Sequence, residues 1–184
     1  MRQRIQALAI ACAAIAVTGC AQTAQTAHSG HGGAHAGHAH GQYAGLQNRA
    51  IKALSDQQIA DLRAGSGMSL ALPAELNGYP GPSHVLELAE PLKLTDPQRA
   101  RTRALFEQMQ REARAAGEEV IAAEAALDGL FKNRQVNPGS LAQATARAAT
   151  AQGKLRETHL RYHLSMMEVL SPEQVAQYNR LRGY

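Results

Sequence analysis

From Gln98 to Lys132 the chain holds no proline, and its apolar residues recur in steps of three and four: Leu105, Met109, Ala113, Ala116, Val120, Ala123, Leu127 and Leu130. That spacing is one stripe of an α-helix. With Thr95 as its start and Pro97 in its first turn, the helix runs to about Lys132 and reaches roughly 55 Å at 1.5 Å per residue. Asn133 to Asn137 reads as a turn, and Pro138 opens a second long helix to about Leu170. One face of the second helix carries Leu141, Ala144, Ala148, Ala151, Leu155, Tyr162, Met166 and Val169. Two long helices on a short link must lie antiparallel. The seam is rich in alanine, so the helices can approach closely, but a lone hairpin buries little. The expected fold is all-α: a long antiparallel helical hairpin with shorter flanking helices, covered in part by a second copy of the chain. No strand of any length is expected.

Three near-copies of one start signal support this reading. Leu54-Ser55-Asp56-Gln57-Gln58, Leu94-Thr95-Asp96-Pro97-Gln98 and Leu170-Ser171-Pro172-Glu173-Gln174 each place Ser or Thr three residues before Gln. That is the spacing of a capping box, in which each side chain satisfies the other residue's free backbone N–H. Pro97 and Pro172 fall in the first turn, where a missing N–H costs nothing. Leu54 with Ile59, and Leu170 with Val175, are placed as hydrophobic staples. Gly65-Ser66-Gly67 and Asn77 to Pro82 break the chain between helices, and Ser83 is expected to cap a short helix from His84 to about Glu90. Residues 43–82 read as a helical extension with turns, and 83–184 as the hairpin domain.

The first residues have a different character. Arg2 and Arg4 precede an apolar run from Leu8 to Val17, too short to span a bilayer as a helix but suited to a signal peptide over residues 1–19. Val17-Thr18-Gly19-Cys20 resembles the bacterial lipobox, in which the cysteine is acylated and becomes the new N-terminus. Two or more acyl chains would hold such a protein at a membrane. Cys12 would leave with the leader and Cys20 would be lipidated, so no thiol would remain for a disulfide. Losing Arg2 and Arg4 lowers the basic residues from 19 to 17 against 15 acidic ones, a net charge of +2 in place of +4. Neither that charge nor a periplasmic address suits nucleic acid. Residues 20–42 read as a tether, and five of them are histidines: His28, His31, His35, His38 and His40. Imidazoles so spaced can gather round a transition metal without a prior fold. A solvated spacer is the alternative.

A second group of ligand-type residues lies late in the hairpin. His159, His163 and Met166 stand at i, i+4 and i+7, on one face bordering the apolar stripe. Imidazole with thioether suits copper first, then nickel, cobalt or zinc. If facing residues across the hairpin have numbers summing to about 270, Glu107 lies opposite His163 and Glu112 near His159. His84 can reach the same end. The candidate site is therefore His84, Glu107, His159, His163 and Met166. A core role for Met166 and a solvated face for Glu107 are the plainer alternatives. No serine sits in a nucleophile elbow or Ser-x-x-Lys context, and no phosphate loop is present, so a non-enzymatic role is expected.

Over roughly His84 to Leu181 the chain resembles the periplasmic Spy/CpxP-type superfamily, which includes chaperones and heavy-metal sensors. The resemblance rests on Leu94-Thr-Asp-Pro-Gln98 opening one long helix and Leu170-Ser-Pro-Glu-Gln174 following the other. It implies a small helical hairpin forming a hooked, cradle-like dimer. It also implies a histidine-bearing short helix set against a His/Met cluster, positions matched here by His84 and by His163 with Met166. Two functions follow as expectations. One is a heavy-metal sensor or buffer in metal resistance or envelope stress, with a membrane regulatory partner. The other is an ATP-independent chaperone for unfolded clients, to which Arg99, Arg101, Arg103, Arg111 and Arg114 would lend a basic face. Ala21 stands where inner-membrane lipoproteins of enteric bacteria carry Asp, so the resemblance favours the outer membrane.

Overall fold

The computed structural model describes Gly41 and residues 43–184. The expected leader, Cys20 and the five tether histidines lie outside the described residues. Among the described residues a short 3-10 turn, Leu46–Asn48, precedes six helices: α1 Asp56–Ala64, α2 Leu72–Glu75, α3 Pro82–Glu87, α4 Asp96–Lys132, α5 Pro138–Val169 and α6 Pro172–Arg182. Among the described residues there is no strand, only a lone bridge between Ile51 and Leu54. No helix among them is long and apolar enough to cross a membrane.

All three capping boxes form. Ser55, Thr95 and Ser171 accept from the backbone N–H of Gln58, Gln98 and Gln174, whose side chains accept in return. A fourth, Asn137 with Ser140, starts α5. Each cap contributes about 0.5–2 kcal/mol. The short helix α3 departs from expectation: Gly81 is its N-cap, and Ser83 lies inside the helix with its hydroxyl donating to Glu87. Pro82 explains the shift, because a fixed φ and no N–H suit the first helical position and move the start back by a residue or two.

The caps at the starts of α4 and α6 are also tied to each other. Gln98 Nε2 donates to Gln174 Oε1 at 2.8 Å, and Gln174 Nε2 donates to Gln98 Oε1 at 3.1 Å. The same amides donate to the carbonyls of Val169 and Leu92. Two short sequence motifs thus meet in one hydrogen-bonded knot.

The long helices α4 and α5 form the antiparallel hairpin. Lys154 pairs with Glu119 at 2.7 Å, and Arg161 pairs with Glu112. The predicted stripes face inward along most of their length. Ala113, Ala116, Val120, Ala123, Ala148, Ala151 and Leu155 join Ile51, Leu54 and Leu62 in one apolar cluster. Leu105, Met109, Tyr162 and Met166 join Val85, Leu92, Leu94 and Tyr178 in a second. Each large side chain so buried contributes about 1.5–3 kcal/mol. Buried Thr102 and Thr158 satisfy their hydroxyls by donating to the carbonyls four residues back.

The stripes stop being covered near the turn. No residue from 124 to 147 is buried, and Phe131 and Leu141 are exposed. At the middle of the hairpin, α1 crosses α4 at Gly117. A Cβ there would lie 2.4 Å from the Leu62 carbonyl oxygen, so only glycine permits the approach.

Candidate metal site

Between α2, α3, α5 and the loop after α1 lies a cavity of about 520 Å³. Its polar lining includes Glu75, His84, His159 and His163 together with Gln110, Arg182 and Tyr184, and Met68 and Met109 contribute thioethers. His159 and His163 reach it because a separation of four places both on one face of α5.

His163 is buried, and its Nδ1 lies 2.7 Å from the Tyr79 carbonyl oxygen. A carbonyl only accepts, so Nδ1 carries a proton, and in the neutral ring it is Nε2 that holds the lone pair. This backbone-fixed tautomer is the one ligating histidines commonly use. A Cβ on Gly81 would fall 2.8 Å from His163 Cε1, 3.1 Å from its Nε2 and 3.4 Å from Glu75 Oε2. Glycine at position 81 thus leaves space beside both donor atoms.

His159 is more deeply buried, and its Nε2 has no hydrogen-bond partner. Burial first, and then the nearby His163, pull its pKa below the ordinary imidazole value, against an opposing pull from the Ser66 carbonyl. The ring is therefore neutral at pH 7, with a lone pair to offer. The loop over it contains Met68 and Ser69, both left-handed at φ 45° and 61°. Non-glycine residues hold that conformation at a cost of about 1–3 kcal/mol each and tend to do so near functional sites.

Glu75 occupies the centre. It is 5% exposed and lies on a single turn of helix. Oε1 accepts from the hydroxyl of Tyr178 and from that of Tyr184 at 3.3 Å, and it lies 3.1 Å from His84 Nδ1. Oε2 is buried with no hydrogen-bond partner, 3.7 Å from His163 Nδ1. Burial and then Glu75 push the Tyr178 phenol far above its ordinary pKa, so it remains a donor.

The sequence-derived set is divided by this geometry. His84, His159 and His163 line one cavity. Met166 is fully buried in the apolar cluster with Val85 and Tyr178 and does not line it. Glu107 is exposed and makes no hydrogen bond or ion pair among the described residues. The register explains this: the Glu119–Lys154 and Glu112–Arg161 pairs set the helices about three residues off the expected alignment, close to one helical turn. Glu112, expected near His159, is held instead by Arg161 and Gln108. Glu75, Tyr178 and Gly81 were missed by sequence reasoning. Glu75 sits in Leu72-Pro-Ala-Glu75 among chain breakers, with no periodic pattern to mark it.

As the side chains stand, no three His, Cys, Asp or Glu among the described residues are already at ligand spacing. Two imidazoles and a carboxylate oxygen without a hydrogen-bond partner nevertheless line one cavity, and these are donor types that a transition-metal ion takes. The fold and site together define a helical-hairpin protein with an imidazole–carboxylate pocket beside the second long helix. The chain belongs to the heavy-metal resistance family, which matches residues 71–177. That match begins just before α2 and so includes Glu75. No curated protein and no solved structure matches the chain.

Proposed function

We propose that this member of the heavy-metal resistance family binds a divalent transition-metal ion in the Glu75–His159–His163 pocket, as a sensor or buffer on the periplasmic side of the bacterial envelope. The observation that carries the reading is the set of uncommitted donors on one cavity: Glu75 Oε2, His159 Nε2 and His163 Nε2. Buried polar atoms without partners are rare in folded proteins, and a cation is one group able to satisfy Glu75 Oε2 and His159 Nε2 at once. Imidazole with carboxylate suits copper(II), nickel, cobalt or zinc, with copper(II) tightest by the general order of affinities. With Met166 in the core, the thioether part of the copper argument passes to Met68 and Met109.

The lipobox-like Cys20 and the histidine tract support an envelope-anchored protein whose tether gathers ions at low affinity, with the outer membrane favoured. The test is calorimetric titration of each ion into the full chain and into a chain starting at Tyr43. About one ion per chain should survive loss of the tether and be lost in Glu75→Gln and in His163→Ala. Binding that disappears with the tether, or that ignores both substitutions, would refute the pocket.

The uncovered end of the hairpin favours a second component of the reading, a homodimer. Exposed Phe131 and Leu141, with half-buried Leu127 and Leu130, form an apolar surface suited to a second copy. The chaperone reading would place an unfolded client on that same surface. Suppression of client aggregation that is lost with Phe131→Asp would favour it.

A further inference from the structure

The C-terminal helix α6 is lightly held: Tyr178 is its only fully buried residue. That residue's hydroxyl donates directly to Glu75. One turn further on, Arg182 places Nε 3.4 Å from Glu75 Oε1. The Arg182 Nε–H is not aligned to donate there and has no other partner, so the link is coulombic and not a hydrogen bond. Its side chain remains 30% exposed, which lets it move without a large loss of packing. Glu75 therefore already has a cation of its own, delivered by a helix end.

We propose that Arg182 is a built-in competitor for the pocket's metal ion, so that a cation entering at Glu75 displaces the last turn of α6. This rests on the reading of the pocket given above. The physical reason is charge. One carboxylate cannot favour two adjacent cations equally, and a divalent ion joined to Oε2 repels a guanidinium a few ångströms away. Tyr178 acts differently. It carries no charge, and its bond to Oε1 leaves Oε2 directed at the cavity, as hydrogen-bonded ligand carboxylates commonly are. Tyr178 is a positioning residue and Arg182 a displaceable counter-ion. By linkage, whatever the ion does to α6, α6 does to the ion's affinity. The released segment, Arg182 to Tyr184, would be the part of the molecule that reports occupancy.

The two roles predict shifts of opposite sign. Nickel(II) alone is titrated into the full chain and into three variants. Arg182→Gln should bind about fivefold more tightly than the parent, with the difference shrinking at high salt because the guanidinium is part-exposed. Arg182→Lys, which keeps the charge, should return to the parent's affinity. Tyr178→Phe should bind about tenfold more weakly. In the parent, hydrogen exchange of the amides of residues 182–184 should quicken when the ion is added. Unchanged or weaker binding by Arg182→Gln overturns the proposal. So does tighter binding by Tyr178→Phe, because loosening α6 would then suffice without removing a cation. If the parent itself binds no ion in the pocket, the reading of the pocket fails and the proposal with it. If the parent binds and Arg182→Gln does not differ, only the proposal fails.

Discussion

Replacing Gly81 with alanine adds one methyl group at the point where α3 begins. The backbone there is extended, at φ −89° and ψ 145°, so alanine meets no conformational strain. The cost comes from space alone. The new Cβ would stand 2.8 Å from His163 Cε1, and ordinary contact requires the ring to retreat by about 0.6 Å. His163 is poorly able to do so, being buried and tied by Nδ1 to Tyr79. Overpacking of this kind costs about 1–3 kcal/mol. Alanine is also a poorer N-cap than glycine, by roughly 0.5–1 kcal/mol. Against this, a stiffer unfolded chain returns about 0.4–1 kcal/mol. The net expectation is a loss of roughly 1–3 kcal/mol, read as a lower urea midpoint at unchanged slope. Gly153→Ala is the control. Nothing lies within 4 Å of its Cβ position, and it sits inside α5, so alanine should stabilise by about 0.5–1 kcal/mol. Ion binding should weaken in the first variant and not in the second. A Gly81→Ala chain with the parent's midpoint, or a higher one, would refute the packing argument and with it the tightness of the cradle around His163.

Three further outcomes are expected. Gly117→Ala should destabilise by about 1–3 kcal/mol, because its Cβ meets the backbone carbonyl of Leu62; protease cleavage between residues 43 and 64 should rise, and unchanged resistance would argue against the crossing. His159 is held below its ordinary pKa by burial, so the unfolded chain binds more protons as pH falls; stability should be full above about pH 6.5 and decline below it, by at most about 1.4 kcal/mol per pH unit. Melts in chelator should lose that part of the slope in His159→Leu, and an identical slope would count against it. Phe131→Asp should leave the melting of the hairpin nearly unchanged while abolishing concentration-dependent association in sedimentation; a parent that stays monomeric would refute the dimer surface.

The helices were legible because their causes are local. Ser55, Thr95 and Ser171 each have Gln three residues on, and the long stripe repeats often enough to fix both helices within a residue or two. Asn137 with Ser140 forms the same box, but serine in place of Gln or Glu falls outside the usual signature. The site was half legible. His159 and His163 share a face by helical geometry, and that survives any tertiary arrangement. Their carboxylate partner depends on the register across a five-residue turn, where a change of one helical turn replaces every neighbour. Glu75 was out of reach for a related reason. Beyond nearby His84 and Gly81, its partners are residues 163, 178, 182 and 184, each more than 80 positions away in the chain, and a lone acid among prolines and glycines carries no trace of them.

The paired amides of Gln98 and Gln174 give the hairpin a direction in time. They bind the starts of α4 and α6 into one unit, so neither end can fray without breaking bonds to the other. The opposite end, from 124 to 147, has no buried residue to oppose its opening. Local unfolding follows the gradient of burial. The structure should therefore loosen first at its connected tip and last where its separate helices meet, so that the stretch the chain closes with a covalent turn is its least persistent part and the knot of side chains its most.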